Sequence, residues 1–484
     1  MVKAVTGDEA QLSLAEKILG EIQTQIGLVV GKLSSTLDRG FIFDLIPTPK
    51  NDAGEPACSI PGNAPRDDRK KGSKPKQLPT DAPVLLIDSD WVVEHARQVS
   101  RMLVGGVMVI GIYVCVSESV FKSSSMVLCQ TLKSVSIAAP LPNDINHDRL
   151  LVNFNCSPRR WNCRNFDVSS NLSTSNLRPC DFKIGKVLSN LQHFKCVYNF
   201  ELRLPVSNEG LTSKATWNEI LRDTILSIEK DLSSAMAMVD GKLVDNGTPW
   251  VVEGRPYNLE LLLPFMKNAP SKVSSCEEIA GIVFWRGSIC SYAYANGKES
   301  VSQAVTDIKD DIIRTLRNRL DIVLEADADA DEINDISEEQ SEPKSCRESV
   351  TKMVLRSLRE KSSLVLPRRV FVPWVGGIHI CDYLQPLEAI EAVKDNCADI
   401  FSMDVDIQTI LEPEESTALS GGNEFWELAA ADNPQPFYSE SKRESDSDNN
   451  RTAVGVRNYF RFDVVLAVLI VFLSILFALL FSKH

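Results

Sequence analysis

The chain has 484 residues, with 52 basic and 65 acidic side chains and a formal net charge of -13. That balance argues against nucleic acid as a main partner, because a phosphate backbone demands concentrated basic surface. The length allows two to four domains and a substantial core. The 12 cysteines form no close-spaced metal or disulfide pattern, and Cys115, Cys129 and Cys381 sit in apolar runs, which suits reduced, buried thiols of a cytosolic body.

Thr6 and Glu9 are spaced as a capping box before Leu12, Ala15, Leu19 and Ile22, which mark one face of a short helix. Segments 25–33 and 41–46 read as a hairpin whose pairing stops at Pro47 and Pro49, since proline cannot donate to a ladder. From 51 to 83, Pro, Asp, Lys and Gly prevail, so a surface insertion is expected, with its basic run 66–76 a solvated linker. Ser89 or Asp90 then caps a helix with Trp91, His95, Val99 and Met102 on one stripe, where His95 reads as structural. Gly105 and Gly106 end that helix, and 107–116 forms a strand apolar on both faces, as at the centre of a covered sheet.

Over roughly 27–126 the order of elements resembles an MPN domain, the fold of the JAMM metal-dependent deubiquitinases. Enzymes of that class place a His-x-His zinc pair just after a Gly-aromatic-Tyr strand end. The matching stretch here is Gly111, Ile112, Tyr113, Val114, Cys115, Val116, so the two histidine places carry Val114 and Val116. Valine offers no lone pair, and Cys115 between them points to the opposite face of the strand. The resemblance therefore implies a hydrolase-like scaffold with no catalytic residue, no metal and no cofactor.

Further strand-like runs are expected at 125–132, 150–156 and 194–206. Thr216 and Glu219 open a long one-faced helix through Leu221, Ile225, Ile228 and Leu232, followed by a strand at 257–265. Residues 279–295 read as a hairpin around Arg286, Gly287 and Ser288, and a helix from Val301 carries Val305, Ile308, Ile312, Leu316 and Leu320 on one stripe. The acidic stretch 325–342 is expected to be disordered, and it lacks the central Gly and spaced Glu of a calcium loop. Strands follow at 366–374, interrupted by Pro373, and at 375–381. His379, Cys381 and Asp382 form the densest polar cluster, yet residues i and i+2 of one strand cannot supply the third member of a nucleophile triad. Finally, 464–481 runs 18 residues with Ser474 as its one polar member, about 27 Å of helix, and reads as a transmembrane tail anchor.

The expected fold class is therefore α+β with α/β-type layers. It comprises an MPN-like domain at 1–140 with a disordered insertion at 51–83, and a second mixed α/β region at 141–323. An acidic linker at 324–347, a C-terminal α/β segment at 348–409, a linker at 410–457 and the anchor at 464–481 complete it.

Four stretches and their order resemble the odorant response abnormal protein 4 family. They are Gly27-Leu28-Val29-Val30-Gly31; Trp91 through Val116, with Arg101-Met102-Leu103 and Gly105-Gly106; Gly281 through Ala293; and Leu366 through Pro373 followed by Cys381-Asp382-Tyr383-Leu384. The resemblance implies a non-catalytic accessory protein of the endoplasmic-reticulum membrane, single-pass and C-terminally anchored. Its implied partners are multi-span receptor clients, the lipid bilayer and the cysteine protease that acts on the ubiquitin-fold modifier. Trp91, Phe371, Pro373 and Trp374 are the candidate partner-binding residues. The alternatives are a cryptic isopeptidase, which stoichiometric zinc and cleavage of a conjugate would reveal, and a direct chaperone of transmembrane segments, which crosslinking from within 464–481 would reveal.

Overall fold

Strand β1 (Ala4–Asp8) turns directly into helix α1 (Glu9–Leu19) because Asp8 caps it, its Oδ1 accepting from the Ala10 and Gln11 amides at 3.1 and 3.3 Å. Thr6, the expected cap, lies within β1. The other Asp8 oxygen accepts from the Val187 and Leu188 amides at 3.1 and 3.0 Å, so one carboxylate ties a helix start to a segment 180 residues downstream. The computed structural model describes residues 2–414 apart from 23, 35–36, 62–82, 142–146, 170–175, 208–213, 245–254, 264–278, 298, 338–365 and 386–387.

The expected hairpin is present as β2 (Gln25–Ser34) against β3 (Arg39–Pro47), antiparallel with Leu28 opposite Ile46. A short ribbon, β4 (Cys58–Ser59) with β5 (Leu86–Ile87), precedes helix α2 (Ser89–Met102), which Asp88 caps through the Trp91 amide. Strand β6 (Met108–Cys115) is buried at all eight positions and lies between β2, antiparallel, and β7 (Asp148–Cys156), parallel. Gly111 permits that placement, since a Cβ there would collide with the Leu150 backbone. Helices α3 (Glu118–Ser123) and α4 (Ser125–Ala138) make the β6–β7 crossover. The strand expected at 125–132 is thus a helix, and its buried Leu128, Leu132 and Val135 recur at helical spacing. Strands β8 (Arg159–Asp167) and β9 (Leu177–Gly185) continue the sheet, and β9 pairs with β1 to close a seven-stranded barrel in the order β1-β3-β2-β6-β7-β8-β9. The barrel runs past residue 140, where the first domain was expected to end, because parallel pairing of β7 with β6 needs the intervening crossover.

The central strands β2, β3, β6 and β7 are largely buried on both faces. Val29, Ile42, Ile110, Leu150 and Val152 pack with Leu12 and Leu19 of α1, while Leu28, Phe43, Ile112, Val114 and Leu151 pack with Val92, Val99, Leu128 and Leu132 of α2 and α4. Cys115 belongs to the first set and Val114 and Val116 to the second, as strand alternation requires.

A second sheet has the order β12-β11-β13-β10-β14. Its strands are β10 (Leu191–Ser207), β11 (Met236–Val239), β12 (Lys242–Leu243), β13 (Tyr257–Leu262) and β14 (Ile279–Asn296). The hairpin expected within 279–295 is one continuous strand, paired along its length with β10. Gly287 serves there as room for the Phe200 ring, 2.9 Å from where its Cβ would be, and not as a turn. Helices α5 (Lys214–Ser234) and α6 (Val301–Ser337) cover one face, with Leu221, Ile225, Ile308, Ile312 and Leu316 against Phe194, Leu259 and Ile289. Helix α6 runs through Ser337, so much of the acidic stretch expected to be disordered is helical, consistent with its alternating alanines, the strongest helix formers. Hairpin β15 (Arg368–Pro373) with β16 (His379–Leu384) and helix α7 (Glu391–Phe401) pack on α2 and the barrel core, and Pro373 stands at a strand end as its missing donor requires.

The described chain is thus a mixed α/β fold with seven helices, and among its described residues no helix is long and apolar enough to cross a membrane. This corrects the expected transmembrane helix, and with it the tail-anchored endoplasmic-reticulum placement and the membrane-anchored function drawn from it. The stretch on which that expectation stood, 464–481, lies outside the described residues, as do the segments 62–82, 348–365 and 415–457.

Candidate functional site

The stretches singled out in the sequence converge on one buried seam between the barrel and the second sheet. Gly105 and Gly106, both at positive φ, turn the chain from α2 into β6, and their backbone lies against β14 and α6. The Gly105 carbonyl accepts from the Tyr294 amide at 3.2 Å, and a Cβ on Gly106 would stand 2.5 Å from Asp307 Oδ2. Only glycine meets both demands, left-handed backbone and direct contact with a carboxylate.

That carboxylate is one end of the first ionic cluster. Lys32 Nζ, from β2, lies 2.5 Å from Asp307 Oδ2 and 3.3 Å from Glu299 Oε2, and donates to the Tyr294 carbonyl at 3.0 Å. All three charged side chains are less than a tenth exposed. Burial alone would lower the Lys32 ammonium, but Asp307 and Glu299 outweigh it and hold the amine charged, above its ordinary range.

The second cluster is centred on Arg369 of β15, which is 2% exposed. Its guanidinium grips Asp311 of α6 with both terminal nitrogens, at 2.7 and 2.9 Å, and Asp311 also accepts from Ser291 Oγ at 2.7 Å. Glu414 completes the set, accepting from Arg319 at 2.5 Å, the Arg369 amide at 2.8 Å and the Cys290 amide at 3.0 Å. Burial works to raise the Asp311 carboxyl, yet Arg369 prevails and lowers it, the same pairing that holds the Arg369 guanidinium high. Arg369 further lies 5.0 Å from the Phe371 ring centre.

Next to these charges is an aromatic and histidine group. The Tyr294 hydroxyl is 3.2 Å from His379 Nδ1 and accepts from the His379 amide at 2.9 Å, while Tyr292 stacks on His379 and His193 meets Tyr294 edge-on. Burial lowers both imidazoles below the ordinary histidine range. The sequence cluster His379, Cys381 and Asp382 is therefore dispersed. His379 serves Tyr294, Cys381 Sγ donates to the Arg101 carbonyl at 3.7 Å, and Asp382 accepts from Asn396 at 2.9 Å. Burial pushes the Cys381 thiol up to about 11, the reverse of what an activated nucleophile needs. His95 binds the Ile400 carbonyl at 2.9 Å and is 2% exposed, in keeping with its structural reading.

Val114 and Val116 are buried in the core that α2 and α4 cover. With its amide nitrogen turned toward them, Asn153 donates to the Val114 and Val116 carbonyls at 3.1 and 3.3 Å. Among the described residues no group of three His, Cys, Asp or Glu side chains is arranged to hold a metal. A polar cavity of about 210 Å³ opens beside Asp148, Asn165, Asp167 and Arg178 on the barrel, away from the seam.

The four candidate partner-binding residues separate by burial. Phe371 is fully buried against Tyr292, whereas Pro373 is exposed and Trp91 and Trp374 are half-buried. Trp91 Nε1 donates to the Pro49 carbonyl at 2.9 Å, and Trp374 meets Phe401 edge-on at 5.6 Å. His95, one turn after Trp91, reaches Ile400 next to Phe401, so α2, α7 and the end of β15 are linked along one side. Sequence reasoning missed Lys32, Asp307, Asp311, Arg319 and Glu414. The available signal was a charged residue inside an apolar strand or stripe, as at Lys32 within β2 and at Asp307 and Asp311 beside Ile308 and Ile312.

The family model described as ODR4-like, odorant response abnormal 4-like, matches residues 27–412. The chain is similar to the protein odr-4 homolog of Mus musculus, at 23% identity over 351 residues that cover 68% of this chain and 72% of the relative. The Homo sapiens homolog is 22% identical over 370 residues, covering 72% and 76%, and that of Dictyostelium discoideum is 23% identical over 403 residues, covering 82% and 77%. The crystal structure of UfSP from C.elegans aligns at a TM-score of 0.37 and 7% identity, over 83% of this chain and 57% of that one, a likeness that carries no argument.

Proposed function

The chain belongs to the ODR4-like family, odorant response abnormal 4-like, and from that premise we propose that its described body is a non-catalytic protein-binding scaffold. The observation that carries this reading is the fate of its reactive side chains. Lys32, Asp307, Arg369, Asp311, Arg319 and Glu414 are paired with one another inside the seam, and the thiol and carboxyl nearest His379 face elsewhere. A buried, mutually neutralised set of charges fixes geometry; it leaves no group free to exchange a proton with a substrate.

The surface assigned to the partner is the side bearing Trp91, Pro373 and Trp374. Half-buried tryptophans held by packing on one side present rigid apolar area at low entropic cost, the usual anchor of a protein interface. The first partner to test is the soluble cysteine protease of the ubiquitin-fold modifier pathway, which the resemblance implies. Titration of the purified protease into the full chain should give saturable binding that Trp374→Ala weakens at least tenfold at a temperature where the variant remains folded. Cleavage of a ubiquitin-like isopeptide conjugate by the purified chain would overturn the non-catalytic reading.

A further inference from the structure

Four of the barrel's cysteines, one on each of the consecutive strands β6, β7, β8 and β9, belong to the core or its margin on the side that α1 packs against: Cys115, Cys156, Cys163 and Cys180. Two of them meet. Cys115 Sγ and Cys156 Sγ are 3.4 Å apart, in direct contact, against a disulfide length of about 2 Å. They differ in access, since Cys115 is fully buried and Cys156 is half-buried near the β7–β8 turn. Both thiols point at the end of α1: Cys156 Sγ donates to the Leu19 carbonyl at 3.4 Å, and Cys115 Sγ reaches the Leu19 and Ile22 carbonyls at 3.7 and 3.8 Å. The reduced pair thus ties the C-terminal turn of α1 to the barrel wall through S–H donors.

We propose that Cys115 and Cys156 form a peroxide-modification site that closes to a disulfide, coupling cellular oxidation to the seating of α1 on the barrel. The Cys156 sulfur attacks hydrogen peroxide, forming an S–O bond as the O–O bond breaks; the sulfur is oxidised to a sulfenic acid, and the departing hydroxide takes up the Cys156 thiol proton and leaves as water. Cys115 then attacks the Cys156 sulfur. The S–S bond forms, the S–O bond breaks, and the hydroxyl leaves as a second water with the Cys115 proton. The balance is two thiols and one peroxide to one disulfide and two waters, with peroxide the only oxidant. Burial pushes the Cys115 thiol up to about 12, which protects it from peroxide, and its attack on Cys156 rests on the 3.4 Å contact and not on an activated thiol. Once closed, neither sulfur retains a hydrogen to donate to the Leu19 carbonyl, so α1 loses its sulfur ties while the barrel gains a covalent link between β6 and β7.

The test is peptide mapping of the full chain after hydrogen peroxide treatment, alkylation and digestion without reductant. The expected result is one linked peptide pair joining Cys115 to Cys156, lighter by two hydrogens, abolished by dithiothreitol and accompanied by faster amide exchange in α1. In Cys115→Ser, Cys156 should instead be trapped by dimedone as a sulfenic acid. The pair Cys163 and Cys180, directly opposed across β8 and β9, reports in the same digest whether oxidant has entered the barrel. A Cys163–Cys180 link without a Cys115–Cys156 link overturns the proposal, as does conversion of Cys156 to sulfinic acid with Cys115 still free. Because the linkage is read on the unaltered chain, the outcome does not depend on the variant folding.

Discussion

The barrel and the second sheet are held by different physics. The central barrel strands are held mainly by apolar burial on both faces, and β6 has no exposed position. The second sheet has one apolar face under α5 and α6, but Lys32, Asp307 and Glu299 join it to the barrel, and Arg369, Asp311, Arg319 and Glu414 join it to the β15–β16 hairpin that packs on the barrel core. Apolar contacts are tolerant of small shifts, whereas a buried bidentate ion pair fixes one orientation and is costly when incomplete. The difference teaches that the barrel supplies stability and the seam supplies a unique arrangement of the two sheets.

The strongest way to break that contrast is Arg369→Met. Removing the guanidinium leaves Asp311 buried without its bidentate cation, so a loss of about 3–5 kcal/mol is expected in denaturant unfolding. Adding Asp311→Leu to that variant should recover most of the loss, because the uncompensated charge is then gone; a double variant no more stable than Arg369→Met would mean the cost was packing.

The barrel arm of the contrast is Ile112→Ala, which empties a fully buried site in β6. The expected cost is about 3 kcal/mol, and no second substitution of a charged residue should recover it.

A smaller effect sharpens the comparison within the barrel, whose strand β3 carries one carboxyl with no cation. Burial pushes Asp44 from 3.8 up to about 7, with the Leu45 amide opposing the shift and Asp8 adding to it. The folded state therefore holds this proton more tightly than the unfolded state. Its contribution is fully present below about pH 4 and is lost as pH rises toward 7. Asp44→Asn should flatten the stability profile between those limits, with a gain on the order of 2 kcal/mol at pH 8 relative to the wild-type chain. An unchanged slope would place the titration elsewhere. The smallest effect expected is for Ile112→Val, about 1 kcal/mol, which scales the apolar term without opening a cavity large enough to relax.

What was legible in the sequence follows the same division. Periodicity located the β2–β3 hairpin, the doubly apolar β6, the inward stripes of α5 and α6 and the strand end at Pro373, because each is a local pattern of burial. It failed where a partner decided the outcome. Residues 279–295 form one strand because β10 lies alongside, and 125–132 form a helix because β6 and β7 need a crossover. The seam was illegible for a plainer reason: Lys32 and Asp307 are 275 residues apart, and nothing in either neighbourhood names the other. Of the candidate contact residues, Trp91 and Trp374 remain at the surface, but Phe371 lies in the core, which an aromatic residue in an apolar strand does not announce.

The measurement that bears most directly on the account is native-state amide exchange on the full chain as a function of denaturant. If the seam joins barrel and sheet into one cooperative body, the slowest amides of β2 and β6 and those of β10, β14 and α6 should open with the same free energy, and Arg369→Met should split them into two sets. Wild-type sheet amides that open well below those of the barrel, with Arg369→Met leaving the pattern unaltered, would contradict it.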